Sequence, residues 1–391
     1  MTAVAPLASA AAPSPAAPSA SAPTPAAPTP AAPHSLIPTA PAFAERVTAL
    51  ALAGMEATTI HLGRALGLYA ALHDNGPQTA ADLAGRTETD ARYVREWLEQ
   101  QASAAIVTVV QNSADPHERR FALPPAHAEV LLDPTSLAAA GALTQMLVAV
   151  VQPLDRLIEA FRTGAGIPYD VYPLFREAQA EANRPLFEHQ LAAWIAALPD
   201  LHKALSERGG RIADVACGGG WSTIALARAY PRATVDGYDA DAPSIALARA
   251  NLRGSGVEPQ VRFRARAGEQ LDAPEPYDLV TIFEAVHDMA DPVDVLAAAR
   301  RLLAPGGVLL VADEKTAHEF AAPGDELERL FYAYSVLFCL PTGREHEHAA
   351  ATGTVMRPAT MARYATDAGF TSVQVLDGIE HDLWRFYLLV P

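Results

Sequence analysis

Residues 211–221 read RIADVACGGGW, and the fold turns on how that stretch is understood. RIADVA has the character of a buried strand, three glycines follow at once, and STIALARAYP has helical period. The pattern then repeats. TVDGYD is a second strand ending at Asp239, APSIALARANLRGSG a second helix, and VRFRARA a third strand. YDLVTIFEAV, after Pro276, is a fourth strand running into a loop. DPVDVLAAARRLLAPGG is a helix closed by glycines, and VLLVADE a fifth strand. Strand-helix units of this kind, joined by right-handed crossovers, form a parallel sheet between two helical layers. Residues 358–391 add a helix and two apolar runs, VQVL and WRFYLLV, that pair as antiparallel edge strands.

The glycine turn invites three chemistries. A nucleotide-hydrolase loop needs a lysine after its last glycine to reach the terminal phosphates. None follows Gly220; the only lysines are Lys203 and Lys315. A dinucleotide site needs GxGxxG or GxGxxA directly after the strand. One register gives Gly218, Gly220 and then Thr223, the other Ala216, Gly218 and then Trp221, so neither completes it. What survives is an acid at the strand end, a glycine turn, and a second acid at the end of the next strand. Asp239 has the chemistry to accept two hydrogen bonds from a ribose diol, and Asp214 to hold an amino group directly or through water. Glycines that let the backbone approach closely then suit a ligand with an adenosine half and no phosphates. S-adenosyl-L-methionine meets that description.

The rest of the chain sets limits. It has 391 residues, half of them apolar, and a formal charge of −16. That length suits two domains and a tail, and that charge disfavours a large nucleic-acid surface. Cys217 and Cys339 sit in no CxxC pattern, so a reducing cytoplasm suits them better than a disulfide framework. Charges or prolines interrupt every apolar run before membrane length. Residues 1–40 are rich in Ala, Pro, Ser and Thr, without the basic start and apolar core of a secretory signal, and read as a disordered tail.

From residue 41 the pattern is helical, broken at Asn75-Gly76-Pro77. Thr79 caps a short helix over 80–84, and Thr87 or Thr89 caps a second running through Leu98. Val107–Val110 and Phe121–Leu123 form a small hairpin. This is a winged-helix layout over 41–135, but Asp90, Glu96 and Glu99 accompany Arg92 and Arg95 on its second helix. A dimerising role therefore fits it better than DNA reading. Residues 136–205, helical with breaks at Pro153, 164–168 and Pro173, form a linker and substrate lid ahead of a cofactor domain at 206–391.

Residues 211–315 resemble the core of class I S-adenosylmethionine-dependent methyltransferases. The resemblance rests on DVACGGGW, GYDAD, YDLVTIFEAVHDMADP, RRLLAPGGVLLVADE and the later ATGTVMRPATMARYATDAGF. From about 41 to 391 the chain resembles bacterial members that join a winged-helix domain to this core. The resemblance implies that Asp214, Ala216, Gly218 and Gly220 cradle the amino-acid half of the cofactor, with Ala216 replacing the usual glycine. It implies that Asp239 and Ala240 bind the ribose end, that Ala267 and Gly268 border the adenine, and that Phe283 and Glu284 border the cofactor from the fourth strand. It further implies a homodimer and an oxygen acceptor.

Oxygen methylation needs a base. His287, oriented by Asp288 or Glu284, is the candidate, against the plainer reading of a packed histidine bonded to a carbonyl. Tyr334 and Phe338 are candidate walls of the acceptor cavity, and Arg357 a candidate for an acidic group on the acceptor. His346 and His348 in GREHEH read as a solvated loop, and no metal is expected. Two readings from another class stay open: a non-catalytic binder of S-adenosylmethionine, and a winged-helix transcriptional regulator.

Overall fold

The computed structural model describes residues 39–391; nearly all of the Ala/Pro-rich tail lies outside the described residues. Helix α1 (Ala40–Ala65) ends where Gly67 takes φ 69°, and α2 (Leu68–Asn75) follows. The chain therefore breaks at Gly67 as well as at Gly76, because glycine enters the left-handed region without a Cβ penalty. Helix α3 (Ala80–Thr87) has the Thr79 cap, with Asp82 completing a capping box. Helix α4 (Ala91–Ser103) is capped by Asp90, whose carboxylate accepts from the Arg92 and Tyr93 amides at 2.9 and 3.1 Å. Neither expected threonine caps it; an ionised acceptor one residue before the helix binds the orphan amides more strongly. Strands β1 (Thr108–Gln111) and β2 (Arg120–Ala122) pair antiparallel, and α5 (Pro125–Leu132) closes a core around Tyr69, Leu83, Trp97 and Phe121.

Helices α6 (Gly141–Val151), α7 (Leu154–Thr163), α8 (Pro173–Ala196) and α9 (Pro199–Arg208) lead to the sheet. The sheet contains β3 (Gly210–Val215), β4 (Ala233–Asp239), β5 (Val261–Ala265), β6 (Tyr277–Phe283), β7 (Leu303–Glu314), β8 (Ser372–Val375) and β9 (Trp384–Val390), in the order β5-β4-β3-β6-β7-β9-β8. The first five in that order run parallel, while β9 is antiparallel to both β7 and β8. WRFYLLV is thus an inner strand, and only VQVL forms the edge. Helices α10 (Trp221–Ala229), α11 (Ala242–Leu252), α12 (Pro292–Leu302) and α15 (Pro358–Asp367) supply crossovers and cover. Between them, α13 (Glu326–Tyr334) runs through a π-helical turn at Ser335–Cys339 into the short α14 (Leu340–Thr342). The APGG segment expected to close α12 already belongs to β7, whose pairing with β6 is irregular there.

Successive side chains of a strand face opposite layers, so each strand divides its residues between two cores. Ile212, Leu279, Leu310 and Phe386 pack with α8 and α10, whereas Ala213, Val280, Leu309 and Val311 pack with α12 and α15. Trp194 of α8 is the pin of the first layer. Its ring lies 5.1 Å from Phe386, 5.6 Å from Trp384 and 6.1 Å from Phe283. Trp194→Ala is expected to cost about 3–5 kcal/mol, read as a lowered urea midpoint.

Candidate functional site

At the carboxyl ends of β3, β4 and β6, under the start of α8, lies a cavity of about 360 Å³. Sheet topology puts it there: β3 is where the strand order reverses, so the connections after β3 and after β6 leave on opposite faces and part above the strand tips.

The turn after β3 forms its floor. Ala216 has φ 58°, Gly218 φ 51° and Gly220 φ 79°. Three left-handed residues within five bend the chain sharply enough to start α10 directly. A Cβ on Gly218 would meet no atom within 4 Å, so the cavity begins at its backbone. Gly220 does not line the cavity; a Cβ there would strike Phe263 at 2.5 Å and Ala248 at 2.9 Å. Its glycine is required by packing and by its φ.

Asp239 ends β4 in the cavity wall. Its carboxylate accepts from the Gly218 amide at 2.8 Å and the Asp241 amide at 2.8 Å. Burial pushes its pKa up to about 6 against those bonds. Ala240 is beside it in the wall. Asp214 is not in the wall: it is 1 % exposed, and its oxygens accept from Ser222 (2.6 Å), Thr223 (2.6 Å) and Thr281 (2.8 Å) hydroxyls. The amino contact expected of it is replaced in this geometry by those three hydroxyls.

On the β6 side, Phe283, Glu284 and Asp288 face the cavity. Glu284 sits at φ 53°, its amide bonded to the Ala312 carbonyl at 2.7 Å and its carboxylate accepting from Asn183 of α8. A non-glycine residue in that region is strained. Burial raises the Glu284 carboxyl to about 7, with Asn183 and His287 opposing.

His287 lies beneath the cavity and is 2 % exposed. Its Nδ1 is 2.7 Å from Asp313 and 2.8 Å from Glu314, and its Nε2 is 3.2 Å from Asp288. Burial opposes a charge there, but Glu314, Asp288 and Asp313 outweigh it and raise the imidazole well above its ordinary pKa. Glu314 is raised by burial, whereas His287 holds Asp313 low despite burial. The histidine is neither open to the cavity nor bonded to a carbonyl: Nδ1 is hydrogen-bonded to Asp313, and Asp288 lies beside Nε2. His287, Asp313 and Glu314 are donor types a cation accepts. Their spacing is that of shared protons, shorter than two ligands of one zinc ion keep.

The remaining candidates stand elsewhere. Ala267 and Gly268 do not line the cavity, and a Cβ on Gly268 would touch Val295 of α12. Phe338 is 1 % exposed, stacked on Phe175 with centroids 3.8 Å apart and edge-on to Tyr172; it ties the π-helical turn to α8. Tyr334 packs against Phe175 behind the wall. Arg357 forks onto Glu328 at 2.7 and 3.0 Å, which satisfies its guanidinium outside the cavity.

Several wall residues carried no motif. Arg176, Gln179, Ala180, Asn183 and Phe187 all come from one face of α8. Their spacing of three and four is a helical stripe, but only the tertiary packing shows which stripe faces the ligand. Tyr169, Asp241 and Trp221 also line the wall.

Residues 206–354 match the Methyltransferase domain family, and residues 54–132 match the Rv2258c-like winged HTH domain family. A ubiquinone biosynthesis O-methyltransferase of Thiobacillus denitrificans is 32% identical over 184 residues, 46% of this chain and 73% of that protein. The chain belongs to the class I S-adenosylmethionine-dependent methyltransferases. The methyltransferase also superposes on human N-acetylserotonin methyltransferase with a TM-score of 0.64 at 16% identity, covering 91% of this chain and 99% of the other. An O-methyltransferase family protein of Burkholderia thailandensis gives 0.62 at 17% identity, over 89% and 97%. At those identities the likeness is one of fold.

The methyltransferase cavity fits its cofactor on its own chemistry: a buried carboxylate bonded only to backbone amides, a bare glycine edge, and acidic walls suited to a sulfonium cation. Ala216 is where this chain departs from glycine, and its positive φ is the reason glycine is favoured there. Ala216→Gly is expected to raise stability by about 0.5–1 kcal/mol, measured by denaturant unfolding, with S-adenosylhomocysteine affinity unchanged or improved.

Proposed function

We propose that this methyltransferase methylates an oxygen of a small, partly apolar molecule. The observation that carries this reading is the placement of two carboxylates, Glu284 and Asp288, in the same cavity as the Asp239 end. A hydroxyl acceptor must lose a proton, and these groups are within the cavity to take it. The names of the curated relatives, ubiquinone biosynthesis O-methyltransferases, support oxygen as the atom.

Bound S-adenosylmethionine supplies a methyl group already activated by its sulfonium, so the protein's tasks are alignment, exclusion of water and proton removal. Asp239 is assigned to the ribose diol, and the backbone at Ala216 and Gly218 to the amino-acid half. Asp288 is the group that accepts the acceptor's proton. His287 is a positioning residue behind it, its imidazole held charged between Asp288 and the Asp313–Glu314 pair. This exchanges the roles expected from sequence, because His287 is buried and Asp288, beside its Nε2, is the one that lines the cavity. Glu284 is the second candidate acceptor, with a pKa of about 7 suited to neutral pH.

We assign residues 41–135 to a dimerising winged helix, 136–205 to a linker and lid, and 206–391 to the cofactor domain. Dimerisation is supported by exposed apolar side chains at Met55 and Leu62 of α1 and Ile158 and Phe161 of α7. A nucleic-acid role is disfavoured because Arg92 pairs with Glu96 and Arg119 with Glu99, which leaves Arg95, among the described residues, as the one cation of α4 without an acidic partner. No helix among the described residues is long and apolar enough to cross a membrane.

Methyl-labelled S-adenosylmethionine incubated with a panel of phenols and carboxylic acids tests the reading: a labelled methyl ether or ester is expected, and transfer only to nitrogen or carbon would refute it. Asp288→Asn is expected to lower kcat by about 10²–10⁴-fold, with S-adenosylhomocysteine binding within threefold of wild type by calorimetry. Acid should weaken that binding. The ionised Asp239 is present above its pKa of about 6 and is lost as pH falls through it, so Kd at pH 5 should be about tenfold weaker than at pH 8. Asp239→Ala should abolish both the affinity and its pH dependence.

A further inference from the structure

Arg176 and Tyr169 belong to the helical segment ahead of the sheet, yet both line the cavity beside Asp239. Arg176, in the first turn of α8, donates to Asp241 through Nε at 2.5 Å and Nη2 at 3.2 Å. Its guanidinium stands over the Tyr169 ring, 5.4 Å from the centroid. The pair is largely buried, at 11 % and 21 % side-chain exposure, so solvent screens it weakly.

Asp241 is committed on its other side. It caps α11, accepting from the Ser244 amide at 2.8 Å and hydroxyl at 2.7 Å, and its own amide bonds Asp239 at 2.8 Å. The clasp therefore holds α8 to the same turn that presents Asp239. Behind it, the segment is fixed by apolar packing: Tyr172 is fully buried against Phe338, and the Ile167 amide bonds the Pro341 carbonyl at 2.9 Å. At the cavity itself, the ion pair is what joins α8 to the turn after β4.

We propose that Arg176, clasped to Asp241 and backed by Tyr169, is a positioning residue that holds the nucleoside end of the cofactor and sets the rate at which it leaves. This rests on the assignment of Asp239 to the ribose. A ligand on Asp239 lies between two walls, the β4–α11 turn and the Tyr169–Arg176 stretch, and the bidentate pair ties one wall to the other. A fork-shaped guanidinium suits that task because it fixes orientation as well as charge.

Stopped-flow fluorescence with S-adenosylhomocysteine as the probe tests this, with Trp221 in the cavity wall as the reporter. Arg176→Met and Asp241→Asn are each expected to raise koff at least tenfold while kon stays within threefold. The double variant should exceed the larger single effect by no more than twofold, since both remove one interaction. Arg176→Lys, which keeps the charge and loses the fork, should fall between wild type and Arg176→Met, and it preserves the test if the methionine variant folds poorly. Dissociation rates within twofold of wild type in all variants, in a protein where Asp239→Ala still abolishes binding, would overturn the clasp alone. Wild-type affinity unaffected by Asp239→Ala would overturn the ribose assignment and the clasp with it.

Discussion

Asp214 is buried at the end of β3 with three hydroxyls, rather than a cation, to satisfy its charge. Two of those hydroxyls open α10 and the third belongs to β6, so one carboxylate joins the central strand, its neighbour and the helix that follows. A buried carboxylate without its donors carries a penalty of several kcal/mol; the turn between β3 and α10 therefore has little freedom. Ala216, Gly218 and Gly220 take left-handed conformations within it, and the backbone of Ala216 to Gly219 becomes the floor of the cavity. Asp239 is in turn held by the amide of Gly218. The site is built outward from a residue that never reaches it.

The acidic side of the cavity follows a different logic. Four ionisable groups, His287, Asp288, Asp313 and Glu314, meet beneath it with a single imidazole as their cation. Burial and the neighbouring Asp313 push Glu314 toward its neutral form, while the surrounding carboxylates hold His287 charged against burial. A cluster so arranged keeps Asp288 oriented at the cavity surface without exposing the histidine. Glu284, strained at the end of β6, adds a carboxyl that titrates near neutrality in the same wall, which is the pattern of pKa separation that acid–base sites show.

The helices ahead of the sheet complete the enclosure. One stripe of α8 closes the cavity, while Trp194 on the same helix anchors it in the sheet's core. Phe338 and Arg357, expected in the acceptor pocket, are consumed by structure: the ring in a stack that secures α8, the guanidinium on Glu328. An aromatic or arginine in an inserted helix has more ways to be satisfied by its own protein than by a ligand, and sequence does not distinguish them.

What the sequence determined by itself was the local order of strands, helices and turns, though not every cap or end. Strand and helix periods, the glycine turn and the acids at strand ends are set by backbone sterics and side-chain spacing, which act over a few residues and can be read along the chain. The parallel sheet, the glycine turn and the acid at Asp239 that shares a cavity with it were legible for that reason. The tertiary structure decided what depends on which surfaces meet: that WRFYLLV enters the sheet between β7 and β8, that Asp214 is covered by hydroxyls, that His287 is buried among three carboxylates, and that Arg176 reaches Asp241 across 65 residues. Burial and charge pairing are properties of neighbours in space, and a linear order of residues does not contain them until the chain has folded.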